Sequence, residues 1–187
     1  PDGENFKAIY QLGIDVTLTG ARSNSDREVQ RRLFKDALDQ SAEFIDRYEG
    51  EPIANKARVS FVRASYDFGS FLTEEIELAR TENPVRVPEL LELAQGIYSR
   101  AIDAAKKVRE ALEGYERGTQ DEADFFITWL IQAMLQRELA GVSPENEQAD
   151  RADVADITFE EFIFEMGAGT VLGQRGFFEM AKTNEVR

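Results

Sequence analysis

Histidine and cysteine are both missing from this sequence of 187 residues. Their absence excludes disulfides, thiolate zinc sites, cysteine nucleophiles, imidazole general bases and histidine-ligated haem together. No run approaches the ~18 uninterrupted apolar residues of a membrane span. The opening stretch PDGENFKAIY lacks a basic segment followed by an apolar one, so no secretory leader is expected in it. A chain that starts at Pro1 rather than Met reads as a processed or excised piece. Positive charge is scarce as well: 22 Lys and Arg stand against 36 Asp and Glu, a net charge of −14 at pH 7. That balance repels phosphate backbones and anionic lipids unless a basic patch is segregated. The most basic run, REVQRRLFK at 27–35, still carries Glu28 and spaces its apolar residues helically. It reads as a solvated helix face, and no nucleic-acid partner is expected.

Apolar residues recur with one period nearly throughout. Val29, Leu33, Phe34, Ala37, Leu38, Phe44, Ile45 and Tyr48 follow spacings of three and four, one face of a helix. Leu90, Ala94, Ile97, Ala101, Ala104, Val108, Leu112 and Tyr115 repeat the pattern over 88–115, with Pro88 suited to a first helical turn. Capping boxes are expected at Ser25–Glu28, Thr119–Glu122 and Thr158–Glu161, each a hydroxyl followed three residues later by glutamate. Breaks are expected near Gly20–Asn24, Gly50–Pro52, Thr81–Val87, Gly114–Gly118 and Gly141–Asp150. No alternating strand pattern is present. The expectation is an all-α fold of seven or eight helices, in one domain over 1–187.

The order of segments carries a resemblance. YQLG at 10–13 opens a first helix; a second follows with Ala37 and FIDRYEGEP, and then ANKARVSFVRASYDFG begins the next. This order resembles the tetratricopeptide repeat, in the variety found in bacterial cell-envelope proteins. Glu49 stands where that variety usually has proline, and Val62 where the family has glycine. Leu12 and Phe61, taken as equivalent, are further apart than the ~34 residues of an ideal repeat. The signature is fair over 5–69 and fades beyond 70. The resemblance implies stacked antiparallel helix pairs in an α-solenoid, each pair burying its face only against the next. An irregular helical bundle is the alternative. The resemblance further implies close helix approach at Leu12, Gly13 and Ala37, and a periplasmic or cell-envelope location, with cytoplasm the other possibility.

First helices of such repeats line a groove. By the resemblance, its positions are Lys7, Tyr10, Ile14 and Thr17 in the first unit and Lys56, Val59, Arg63 and Tyr66 in the second. Lys7, Tyr10, Lys56, Arg63 and Tyr66 would form a basic and aromatic surface for a carboxylate-bearing peptide or protein partner.

Other motifs read blandly. GAGTVLGQRG at 167–176 is one residue too long for a dinucleotide fingerprint and follows a helical run, not a strand. Its glycines suit close helix packing. Glu160, Glu161 and Glu165, like Glu74, Glu75 and Glu77, lack the histidine of Glu-x-x-His metal sites and read as solvated faces. Trp129, Phe125, Phe126 and Met134 read as core. No nucleophile, acid–base pair, metal site or cofactor motif stands out. The function expected is therefore a non-catalytic interaction scaffold without cofactor. The alternatives are a structural subunit that self-associates through its terminal helices and a helical enzyme with an unmarked carboxylate site.

Overall fold

The computed structural model describes residues 3–186 (for Glu4, the backbone alone). Pro1 and Arg187 lie outside the described residues. The fold is all-α, with seven α-helices, two 3-10 turns and no strand among the described residues. The helices are α1 (Glu4–Ser23), α2 (Arg27–Arg47), α3 (Pro52–Glu82), α4 (Val87–Leu112), α5 (Gln120–Gly141), α6 (Glu145–Met166) and α7 (Val171–Ala181).

Each helix packs on its neighbours in sequence, and α3 also reaches α5. Cross-helix pairs fix the directions. Tyr10 stacks on Phe44, Phe34 on Phe68, and Arg27 at the start of α2 bonds Glu75 near the end of α3. Gln95 near the start of α4 donates to the carbonyl of Val142 just past α5, while Arg109 near the end of α4 meets Gln132 in mid-α5. Successive helices are therefore antiparallel, and α1, α3 and α5 run the same way.

Local chemistry explains the boundaries. Pro52 opens α3 at the first turn, where no N–H is needed, and Gly50 supplies a φ of 86° in the turn before it. Thr119 accepts from the Glu122 amide, and Glu122 reaches back to Gly118, so this cap is the expected one displaced by a single residue on its return bond.

Two expected caps are corrected. At α2 the cap is Asp26, not Ser25: its carboxylate accepts from the amides of Glu28 and Val29. A carboxylate also favours the positive helix end more than a hydroxyl does. Asp26→Ala is expected to cost about 1 kcal/mol, read as a shift of the urea unfolding midpoint. Thr158 lies in mid-α6 and donates to the Val154 carbonyl, so α6 begins earlier, at Glu145.

The core forms two clusters. The larger is built from α1 to α4 with Leu135, Leu139 and Val142 at the end of α5. The smaller gathers Phe125, Phe126, Trp129, Leu130 and Met134 of α5 with Phe159, Phe162 and Ile163 of α6. Trp129 meets Phe125 and Phe162 edge-on, with ring centroids 5.6 Å and 6.1 Å apart. Half-buried Tyr66 packs against both clusters. Among the described residues, no helix is long and apolar enough to cross a membrane.

Glycine placement partly departs from expectation. A side chain at Gly13 would meet nothing within 4 Å, so no helix approaches closely there, whereas Ala37 is fully buried. Leu12 is exposed, in a stripe with Ile9 and Val16 on the outer side of α1. The close approaches lie elsewhere. A Cβ on Gly69 would sit 2.1 Å from the Tyr98 ring, and one on Gly176 would sit 2.8 Å from Ile163. The second of these is what presses α7 onto α6, the packing use expected of the 167–176 glycines.

Candidate functional site

Arg63 and Tyr66 stand one turn apart on α3, and the fold brings residues to them from three other helices. Arg22 in the last turn of α1 donates to Asp67 of α3 at 2.8 Å. A cation suits the negative end of α1, and the pair ties α1 to α3 at this level. From α5 come Ile127, Leu130, Ile131 and Met134. From α7 comes Arg175, delivered by the close fit of Gly176 against α6.

Together these residues line a recess of about 310 Å³. Its floor is aliphatic, and three guanidinium groups stand around it. Their partners are few. Arg22 shares Asp67, Arg63 lies 3.5 Å from Asp124, and Arg175 is exposed without an ion-pair partner among the described residues. The recess is therefore a cationic spot on a strongly acidic chain.

Tyr66 closes its inner side. Burial pushes the phenol pKa up, and the Glu138 carboxylate adds to the rise. At neutral pH its hydroxyl is a neutral hydrogen-bonding group.

Behind the recess, α7 is clamped to α5 by a buried ion pair. Arg137 donates to the Glu179 carboxylate at 2.9 Å and to the Glu179 carbonyl at 3.0 Å, and also holds Glu138. Lys182 reaches the same Glu179 carboxylate at 3.0 Å. Burial pushes the Glu179 pKa up, but the hydrogen bonds from Arg137 and Lys182 outweigh it and leave the value below that of an ordinary glutamate. The clamp fixes where Arg175 stands, one turn earlier on the same helix.

Of the residues expected on the groove, the structure brings Arg63 and Tyr66 together and places the others apart. Lys7 pairs with Glu51 and lies over the Tyr48 ring, 4.7 Å from its centroid. Tyr10 is half-buried on Phe44, at 5.3 Å. Lys56 is exposed, two turns before Arg63 on α3. Ile14 and Val59 are buried core residues and do not line a surface. Arg22, Asp67 and Arg175 were not expected at the site. Only the pairing across helices makes them part of it, and single-helix periodicity carries no such signal.

A second aromatic spot has a cation of its own. Arg109 lies 3.8 Å over the Trp129 ring, and burial lowers its pKa. Near it, Glu160, Glu161 and Glu165 are exposed. Among the described residues no three carboxylates are placed to hold a metal ion.

Comparison with known families finds no matching family model, and comparisons with curated proteins and with solved structures find no match.

A recess of this size lies at the lower end of ligand-pocket volumes, about 300–1,000 Å³. It accommodates one large side chain rather than an extended cofactor. Guanidinium groups bind carboxylates through two parallel hydrogen bonds, and the aliphatic floor supplies the contact for an apolar group beside the carboxylate.

Proposed function

We propose that the chain is a protein-interaction scaffold of tetratricopeptide-like helix pairs, and that the recess between α1, α3, α5 and α7 captures a partner segment bearing a carboxylate next to a large apolar side chain. One observation carries the reading: three arginines surround an aliphatic floor in a chain whose net charge is −14. A cationic spot on such a background concentrates and orients an anionic partner. Lys56, exposed two turns before Arg63, extends this surface toward the start of α3.

The test uses fluorescence anisotropy with short peptides that end in Phe or Leu. A free C-terminal carboxylate is expected to bind at least about ten-fold more tightly than the C-terminal amide, with the difference shrinking as salt rises. Arg175→Ala, which breaks no ion pair within the fold, is expected to remove most of that preference. Equal binding of acid and amide, or indifference to both Arg175→Ala and Arg63→Ala, would refute the reading.

A further inference from the structure

A cleft of about 1020 Å³ lies on the other side of α3, between α2 and α4. Half-buried Val29 and Leu93 line it, over the fully buried Phe68. Gly96 keeps it open: a side chain there would meet nothing within 4 Å.

The charges along this cleft are sorted by position. Phe34 stacks on Phe68, and Gly69 beside Phe68 lies against Tyr98, so Phe34 and Tyr98 stand at one level. Both α2 and α4 run antiparallel to α3, and hence parallel to each other. Glu28 of α2 is therefore near the level of Glu89 and Glu92 of α4, at the end where both helices begin. Further along stand Arg32 and Lys35 on α2 and Arg100 on α4, and Arg100 opposes the Lys35 charge across the gap. One end of the cleft is acidic and the other basic. The separation is ~6–10 Å along α2 and ~12–16 Å along α4 at 1.5 Å per residue. Among the described residues, Glu28, Glu89, Glu92, Arg32 and Arg100 make no ion pair within the chain; Lys35 is held by Asp39 at 2.6 Å.

We propose that this cleft is a docking site for an amphipathic helix of a partner protein, lying antiparallel to α2 and α4 with an acidic first turn at Arg32, Lys35 and Arg100 and a basic last turn at Glu28, Glu89 and Glu92. Charge complementarity selects the occupant. Helices favour acidic residues at their start and basic residues at their end because of the backbone dipole. A helix of that ordinary polarity matches the cleft in one direction only, and in that direction its dipole also opposes those of α2 and α4. Its apolar stripe would lie on Val29 and Leu93, filling the space that Gly96 leaves. The site is independent of the arginine recess.

Two stapled helical peptides of about four turns test this. Both carry leucines along one face. One has glutamates in its first turn and lysines in its last, and the other has the two sets exchanged. Stapling holds both helical, so the comparison reads the cleft and not helix formation. The first peptide is expected to bind at least about ten-fold more tightly at low ionic strength. Gly96→Leu, which fills the cleft at an exposed helical position where leucine is the better helix former, is expected to abolish that binding while circular dichroism stays unchanged. Lys35→Glu with Arg100→Glu is expected to remove the preference between the two peptides, and Arg175→Ala to leave it intact. The proposal is overturned by equal affinity of the two peptides for the unmodified protein, by no binding of the first, or by binding that survives Gly96→Leu.

Discussion

Gly69→Ala is expected to destabilise the fold by about 3 kcal/mol, the upper part of the range for overpacking a well-filled core. The added Cβ would lie 2.1 Å from Cε1, 2.5 Å from Cζ and 2.7 Å from the hydroxyl oxygen of Tyr98. Real Cβ atoms do not approach another atom so closely, so something must move. Tyr98 is fully buried, and its hydroxyl is within 3.3 Å of the Thr73 hydroxyl. A displaced ring would break that contact and press on neighbours that are themselves packed. Alanine is otherwise the better helix former by roughly 1 kcal/mol, so the loss measures the clash against an opposing gain. Chemical unfolding followed through Trp129, the chain's single tryptophan, reads the change. In a double-mutant cycle, Tyr98→Leu should offset part of the loss, because leucine does not reach across to α3. A Gly69→Ala protein as stable as the parent would mean that α3 and α4 are not this close.

Glu179→Gln is expected to cost about 3 kcal/mol, the lower end for breaking a buried pair from one side. Both side chains are almost wholly buried, 6% exposed for Arg137 and 8% for Glu179, so solvent screening is slight. The figure stays at the lower end because Glu138 still holds the guanidinium. The variant should loosen α7 before the rest of the molecule, and with it the placement of Arg175.

Acid provides an independent check. The folded-state pKa of Glu179 is depressed, so its contribution is complete above the unfolded value of ~4.3 and is lost as pH falls through the folded value. The stability gap between parent and variant should therefore be constant near neutrality and close progressively below about pH 4. A gap that persists unchanged in acid would assign the cost to packing rather than to the carboxylate charge.

Much of the helix layout was legible in the sequence because its punctuation is local. Gly50 before Pro52, the Thr119 box and the break at 81–87 are settled by a few adjacent residues. Where reading failed, two local signals competed. Ser25 and Asp26 are both capping residues, and only the backbone geometry decides that the carboxylate reaches the amides. Thr158 and Glu161 have capping spacing in the middle of a helix; upstream, the buried face of α6 is made of Ala152 and Ala155, too small to announce itself. The Gly13 expectation failed because a glycine in a helix shows where a neighbour could approach, not that one does.

The site was only half legible. Arg63 and Tyr66 share a face of one helix and could be paired from spacing. Arg22 and Arg175 join them across turns whose geometry lies outside any one helix. The cleft between α2 and α4 was hidden for a similar reason. Its basic wall, REVQRRLFK, reads as a solvated face until a second helix with complementary order of charge is set beside it.

α5 belongs to both hydrophobic clusters, its first half to the one shared with α6 and its last residues to the one built on α1 to α4. Mechanically it is a common beam. Neither half of the molecule can come apart without removing a wall from the other, and this couples their stabilities through one covalently continuous element rather than through a surface that could slide. The arginine recess has its floor on that beam, with walls from both sides. An occupant seated there would be gripped by both halves at once and would hold them in register.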